Sequence, residues 1–244
     1  MWVETDQPCE VDVLGRRART FAVCGHHYAL VCIEGLEPAT IYPYEVALDG
    51  HTVWPDTDAA TFPPSSIRTR ASDDHDLRIA FGSCRVAYPH ERPFSLRKDD
   101  NKRGREVDAL YAMALRMRHQ DPDRWPDLLL WLGDQVYADE ISPGVREFID
   151  GRPPQERNGC PTDEVADFEE YARLYWDSWR DPAIRWLIST VPSEARCGVR
   201  NWQSSNSAPA WRKAATSHAS ATFDASLAKL NIDSPQNARA KPTP

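Results

Sequence analysis

The sequence predicts an α+β, multidomain protein: a β-sandwich over residues 1–70, an α/β segment over 71–192 and a disordered tail over 193–244. Three observations predict it. Short segments of period-two alternation crowd the first 70 residues. Apolar runs then alternate with helical periodicity. After Pro192 the acidic residues shrink to Glu194, Asp224 and Asp233, and no apolar period persists.

In the first part, residues 9–14, 19–23 and 27–32 alternate as half-buried strands do, and Trp2-Val3-Glu4-Thr5 reads as a strand before them. Residues 45–54 read as a hairpin around Asp49-Gly50, a dipeptide that tolerates the positive φ angles of a two-residue turn. A connector rich in Pro, Ser and Asp spans 56–76. The run at 77–81 follows as a strand. Val107, Leu110, Tyr111, Ala114 and Met117 then mark one face of a helix near 105–119. Residues 128–132 form the next strand. A helix is expected from about Asp163 to Trp179 with Thr162 as its N-cap, and Pro182 suits the first turn of a shorter third helix. Strands alternating with helices imply a mainly parallel sheet.

A chain of 244 residues can bury a sizeable core in one large or two modest domains. The net charge of −8 argues against nucleic acid as a partner, but not against a small phosphorylated substrate. No apolar run approaches the ~20 residues of a membrane span. Residues 1–5 carry neither a basic region nor an apolar core of a secretory signal, so a cytoplasmic location is expected. There the six cysteines are better read as thiols or ligands than as disulfides.

Two strand ends carry the chemistry: Phe81-Gly82-Ser83-Cys84 and Leu132-Gly133-Asp134-Gln135-Val136-Tyr137. The carboxyl ends of strands in an open α/β sheet are where such folds place ligands. Asp134, directly after a glycine, can bridge two cations, or it can simply cap a turn. Tyr137 offers a phenolate, a hard donor, or half-buried packing. Cys84 is a candidate thiolate ligand, although a lone cysteine after a strand is often an inert buried thiol. Arg85 is placed to hold a phosphate oxygen, or lies on a solvated surface. Asp139 and Glu140 extend the acidic loop, His90 reads as loop surface, and His26 and His27 belong to the sandwich.

Leu36-Glu37-Pro38-Ala39-Thr40-Ile41-Tyr42 resembles the Leu-x-Pro-x-Thr-x-Tyr signature of fibronectin type III-like sandwiches, in which the tyrosine hydroxyl pins a corner. With Ser-Cys after the first core strand and Gly-Asp-x-x-Tyr after the second, residues 2–192 resemble the alkaline phosphatase D (PhoD-like) metallophosphatases. The segment from Tyr171 through Trp179-Arg180-Asp181-Pro182 to Thr190-Val191-Pro192 carries the same resemblance.

The resemblance implies a partial metallophosphatase core that hydrolyses small phosphate mono- or diesters with Fe(3+) and Ca(2+). Cys84, Asp134 and Tyr137 match the iron ligands, Asp134 also faces calcium as the catalytic carboxylate, and Arg85 is the candidate substrate contact. The family's Asp-Asp-His-Asp stretch and its later Gly-Asp-x-His-type motif have no counterpart after Pro192. The chain therefore reads as a member cut short by a frame change or early stop, and inactive as it stands. Two rival readings are a non-catalytic sandwich that acts as a binding module, and a partial metal site completed by another chain.

Overall fold

The computed structural model describes residues 1–71 and 76–195, and the backbone of 229–232. The first part contains β1 (Trp2–Thr5), β2 (Glu10–Val13), β3 (Arg16–Arg19), β4 (Phe21–Val23), β5 (His26–Leu30), β6 (Ile41–Pro43), β7 (Val46–Leu48), β8 (His51–Trp54) and β9 (Ser66–Arg68). One antiparallel sheet runs β1-β5-β4, a second runs β3-β2-β7-β8, and β6 pairs with β9. Alternation sets the buried faces. Val11 and Val13 of β2, Val46 and Leu48 of β7, Val3 of β1 and Ala29 of β5 all enter the core. The hairpin turns at Asp49 (φ 47°) and Gly50 (φ 83°), the positive angles expected of that dipeptide. The Glu37 N–H donates to the Tyr42 hydroxyl oxygen at 2.8 Å.

The second part contains β10 (Ile79–Gly82), α1 (Ala109–Met117), β11 (Leu128–Trp131), α2 (Pro143–Asp150), α3 (Phe168–Trp179), α4 (Pro182–Thr190) and β12 (Ser193–Ala195). The strands form a parallel sheet in the order β10-β11-β12. Each helix opens on a side-chain cap: Asp108, Ser142, Asp167 and Asp181 accept backbone N–H bonds of the first turn. The protein is thus a mixed α+β structure with several sheets and a few helices. Among the described residues no helix is long and apolar enough to cross a membrane.

Two expectations are corrected and one helix is added. The helix expected from Asp163 begins at Phe168, and its cap is Asp167, whose Oδ1 accepts from the Glu170 N–H at 3.0 Å. The preceding loop is not helical because its carbonyls turn inward onto Arg157, which donates to Cys160, Pro161 and Glu164. Helix α2 was not expected. Its signals are Ser142 as cap, Pro143 in the first turn, and Val145 and Ile149 one turn apart and buried. Finally, disorder was expected from residue 193, yet β12 extends the parallel sheet and Lys229–Ile232 forms β13, parallel to β1. The rest of that tail, and with it the reading of a lost frame, lies outside the described residues.

The change of architecture near residue 70 is not a break in packing. One hydrophobic cluster joins Val3, Val46 and Trp54 of the sandwich to Met117, Trp125, Leu129 and Trp186 of the α/β part. Trp186 stacks on Phe62 of the connector (centroids 5.0 Å apart) and meets Trp125 edge-on at 5.5 Å. Its indole N–H donates to the Pro63 carbonyl at 2.6 Å. Polar groups cross the same seam: Ser65 Oγ accepts from the Trp54 indole at 3.1 Å and lies 2.9 Å from Ser189 Oγ. At a second contact His26 stands between Glu4 of β1 and Glu169 of α3. Its Nδ1 is 3.2 Å from Glu4 Oε1, its Nε2 is 3.1 Å from Glu169 Oε2, and Phe168 packs edge-on to the ring.

Candidate functional site

Strands β10 and β11 run side by side with Gly82 opposite Trp131, so the loops that leave them emerge at the same end of the sheet. Both loops turn at once through the left-handed region: Cys84 has φ 58°, Gly133 φ 132° and Asp134 φ 50°. For the two non-glycine residues such angles cost on the order of 1–3 kcal/mol and persist only when the surroundings impose them. The backbones impose them here. The Cys84 N–H donates to the Gly133 carbonyl at 3.4 Å and the Arg85 N–H to the Asp134 carbonyl at 2.9 Å.

This stitching brings the three predicted ligands together. The Cys84 thiol lies 3.6 Å from Asp134 Oδ2. The Tyr137 phenol lies beside both; the Cys84 contact, burial and the Asp134 carboxylate push its pKa up from the ordinary phenol value. Cys84 is exposed and Asp134 half-buried, so the cluster faces outward. Ligands about 2.0–2.3 Å from one ion stand roughly 3–3.7 Å apart, so the thiol–carboxylate spacing suits a shared cation. A thiolate, a carboxylate and a phenolate are all anionic donors that suit a highly charged ion. Among the described residues no group of three or more His, Cys, Asp and Glu is placed to hold a metal; this cluster has two of those residue types plus a phenol.

Arg85 does not take the role expected of it. It is turned inward, and its donors are engaged: Nε to Asp108 Oδ2 at 2.8 Å, Nη2 to the Ser178 carbonyl at 2.8 Å, and Nη1 to Ser178 Oγ. Burial lowers its pKa, and Asp108 is the chief opposing charge. It braces the loop and is not presented to a phosphate. His90 is likewise half-buried, not loop surface. It stacks on Tyr111 with centroids 3.8 Å apart, and its Nε2 is 3.5 Å from Asp181. Asp139 and Glu140 are exposed, and Glu140 pairs with Arg105 at 3.0 Å.

Behind the cluster a cavity of about 20 Å³ is lined by Arg85, Gln135, Tyr137, Ser142 and Asp177 among others. That is room for about one water, so any larger ligand would meet the cluster from its exposed side. A larger hollow of about 700 Å³ lies elsewhere, on the sandwich beside the connector, among Ala47, Phe62, Pro63 and Trp186.

Two residues that fix the site were missed from sequence, Asp108 and Ser178. Asp108 carried a signal, as an aspartate directly before a helical period; Ser178 carried none. Compared with known proteins, residues 1–67 match a family described as Domain of unknown function (DUF7800). That match covers the sandwich and stops before both strand-end motifs. No curated protein matches the chain.

Proposed function

We propose that this chain is by descent a PhoD-like metallophosphatase, acting on small phosphate mono- or diesters in its intact form and lacking turnover as it stands. One observation carries the reading: Cys84 and Asp134, from two strand-end motifs 50 residues apart, meet through a thiol–carboxylate contact, and the Tyr137 phenol stands beside them. The Glu37–Tyr42 corner contact supports the fibronectin type III-like description of the sandwich.

In this proposal Fe(3+), when bound, would supply positive charge against a phosphate oxygen. Cys84 as thiolate, Tyr137 as phenolate and Asp134 as carboxylate would hold it, and Asp134 would be the residue shared with Ca(2+). Among the described residues only Asp134 is offered to the second ion, too little to fix it against a substrate. Two-metal hydrolysis depends on positioning both the attacking and the leaving oxygen, so turnover is negligible.

The test is to add iron and calcium to the purified chain and to measure metal content, visible absorption and hydrolysis of an activated aryl phosphate diester. The expected result is weakly held iron with phenolate-to-iron absorption, and negligible hydrolysis. A chain that takes up no iron would overturn the metal-site reading. Hydrolysis that disappears in Asp134→Asn would overturn the inactive reading and show that the site is complete.

The second reading is a non-catalytic binding module. What favours it is the 700 Å³ hollow on the sandwich, which is far larger than the recess behind the cluster. Its lining includes Trp186 of α4, so such a module would extend beyond residue 70.

A further inference from the structure

The strand that carries Cys84 is poorly held by its own packing. Ile79 and Phe81 of β10 are 44% and 73% exposed, and β10 has a neighbour on only one side among the described residues. Yet Cys84 sits in a left-handed conformation facing Asp134, itself left-handed. A weak strand does not impose such a geometry.

Arg85, the next residue, links three separate elements. Its backbone N–H holds the loop after β11 through the Asp134 carbonyl. Its guanidinium reaches the cap of α1 through Asp108 and the last turn of α3 through Ser178. Asp108 serves two partners at once. Oδ2 takes the Arg85 Nε–H, while Oδ1 takes the Leu110 N–H at 2.8 Å and the Tyr111 N–H at 3.4 Å. The cap fixes the carboxylate, and the carboxylate fixes the arginine. The side chains of Arg85 and Asp108 are only 10% and 5% exposed, so solvent competes little for either partner.

We propose that Asp108 and Ser178 are positioning residues: acting through Arg85, they hold Cys84 against Asp134 and so set how tightly the cluster takes a metal ion. Neither touches the ion. The metal consequence rests on the reading above; the structural one does not.

The experiment uses the full chain with Asp108→Asn, Ser178→Ala and Ser178→Thr, and Glu140→Gln as a control in the neighbouring loop. Asparagine still caps a helix, so Asp108→Asn removes the charge that faces Arg85 while α1 is kept. The first readout is amide hydrogen exchange without metal. Exchange at residues 84–86 and 134–137 should rise about tenfold or more in Asp108→Asn and Ser178→Ala, while residues 109–117 exchange as before and Ser178→Thr restores protection. The second readout is an Fe(3+) titration followed by phenolate-to-iron absorption, in which the apparent affinity should fall about 10–100-fold, the range seen when supports of metal ligands are removed.

Unchanged exchange at 84–86 and 134–137 overturns the proposal, whether or not iron binds. Faster exchange that extends equally over 109–117 also overturns it, because that is general destabilisation. If exchange responds as expected but the wild-type chain takes no iron, the positioning role stands and the metal reading falls.

Discussion

The phenol of Tyr44, at the edge of the sandwich, donates its hydrogen to the backbone carbonyl of Ser189 in the last turn of α4. Tyr44 is buried, and burial pushes its pKa up. Tyr44→Phe keeps the ring and leaves that carbonyl without its partner, which should cost about 1–3 kcal/mol. Because the core crosses the seam, both parts should lose stability together. Denaturant unfolding followed by tryptophan fluorescence and by far-ultraviolet dichroism should give coincident transitions in wild type and variant. Separate transitions, with only one displaced, would refute the shared core.

Glu170 has no exposed surface, and its two oxygens take bonds from Arg152, Arg157 and the Ala166 N–H. Arg157 in turn gathers the loop before α3. Removing one partner of a buried pair leaves an uncompensated charge and costs about 3–5 kcal/mol. Glu170→Ala should therefore destabilise the chain by that order and open residues 152–166 to limited proteolysis. Wild-type resistance to protease in the variant would contradict this.

Acid should loosen the start of α3. Burial alone would raise the Asp167 carboxyl, but the Arg152 guanidinium and the N–H groups of Glu170 and Glu169 outweigh it and hold its pKa below the ordinary carboxylate value. A depressed native value means that the stabilisation is present above the unfolded value of about 4 and is lost as pH falls through the native one. Unfolding free energy measured from pH 6 down to pH 2 should fall less steeply in Asp167→Asn than in wild type. Parallel curves would remove Asp167 as a source of the acid sensitivity.

A Cβ at Gly144 would lie 2.8 Å from Asp177 Oδ1, because the Asp177 carboxylate closes over the first turn of α2 and takes the Ser142 hydroxyl. Gly144→Ala should push that carboxylate aside and cost about 1–3 kcal/mol, as overpacking does. Gly144→Ala combined with Asp177→Ser should recover part of the loss, a double-mutant comparison that an independent effect at either site would fail.

Metal addition should release protons from Tyr137. Without a cation the phenol is held protonated by its neighbours, whereas a bound ion reverses that balance. Proton release at pH 7 on adding Fe(3+) should be smaller in Tyr137→Phe by about one proton per ion, and the visible band should vanish. Equal release from both proteins would remove the phenol from the ligand set.

Strands β1, β2, β4, β5, β7, β8, β10 and β11, the Asp49-Gly50 hairpin and the parallel pairing were legible because alternation, turn chemistry and apolar runs are local signals, whereas the short β3, β6 and β9 carry too few residues to show a period. Cys84, Asp134 and Tyr137 could be picked out because each follows a strand end with a glycine close by. What escaped depends on distance along the chain. Arg85 looked available to an anion because its partners lie 23 and 93 residues away. Glu170 reads as surface charge until Arg157 is seen folded onto it. Helix α2, of eight residues, is too short for periodicity to announce.

The clasp around His26 ties the sandwich to α3 through a single ring. Its Nδ1 lies 3.2 Å from Glu4 Oε1 of β1 and its Nε2 3.1 Å from Glu169 Oε2 of α3, and Phe168 packs edge-on to the ring. One side chain therefore reaches a strand and a helix at the same time, with His26 and Glu169 standing 143 positions apart in the sequence. The first turn of α3 is thereby held from two directions, by the Asp167 cap from its own loop and by this ring from the sandwich. Closing a loop of that length is an entropic cost met once, when the two parts dock, so whatever displaces the ring gives back the order of both parts together.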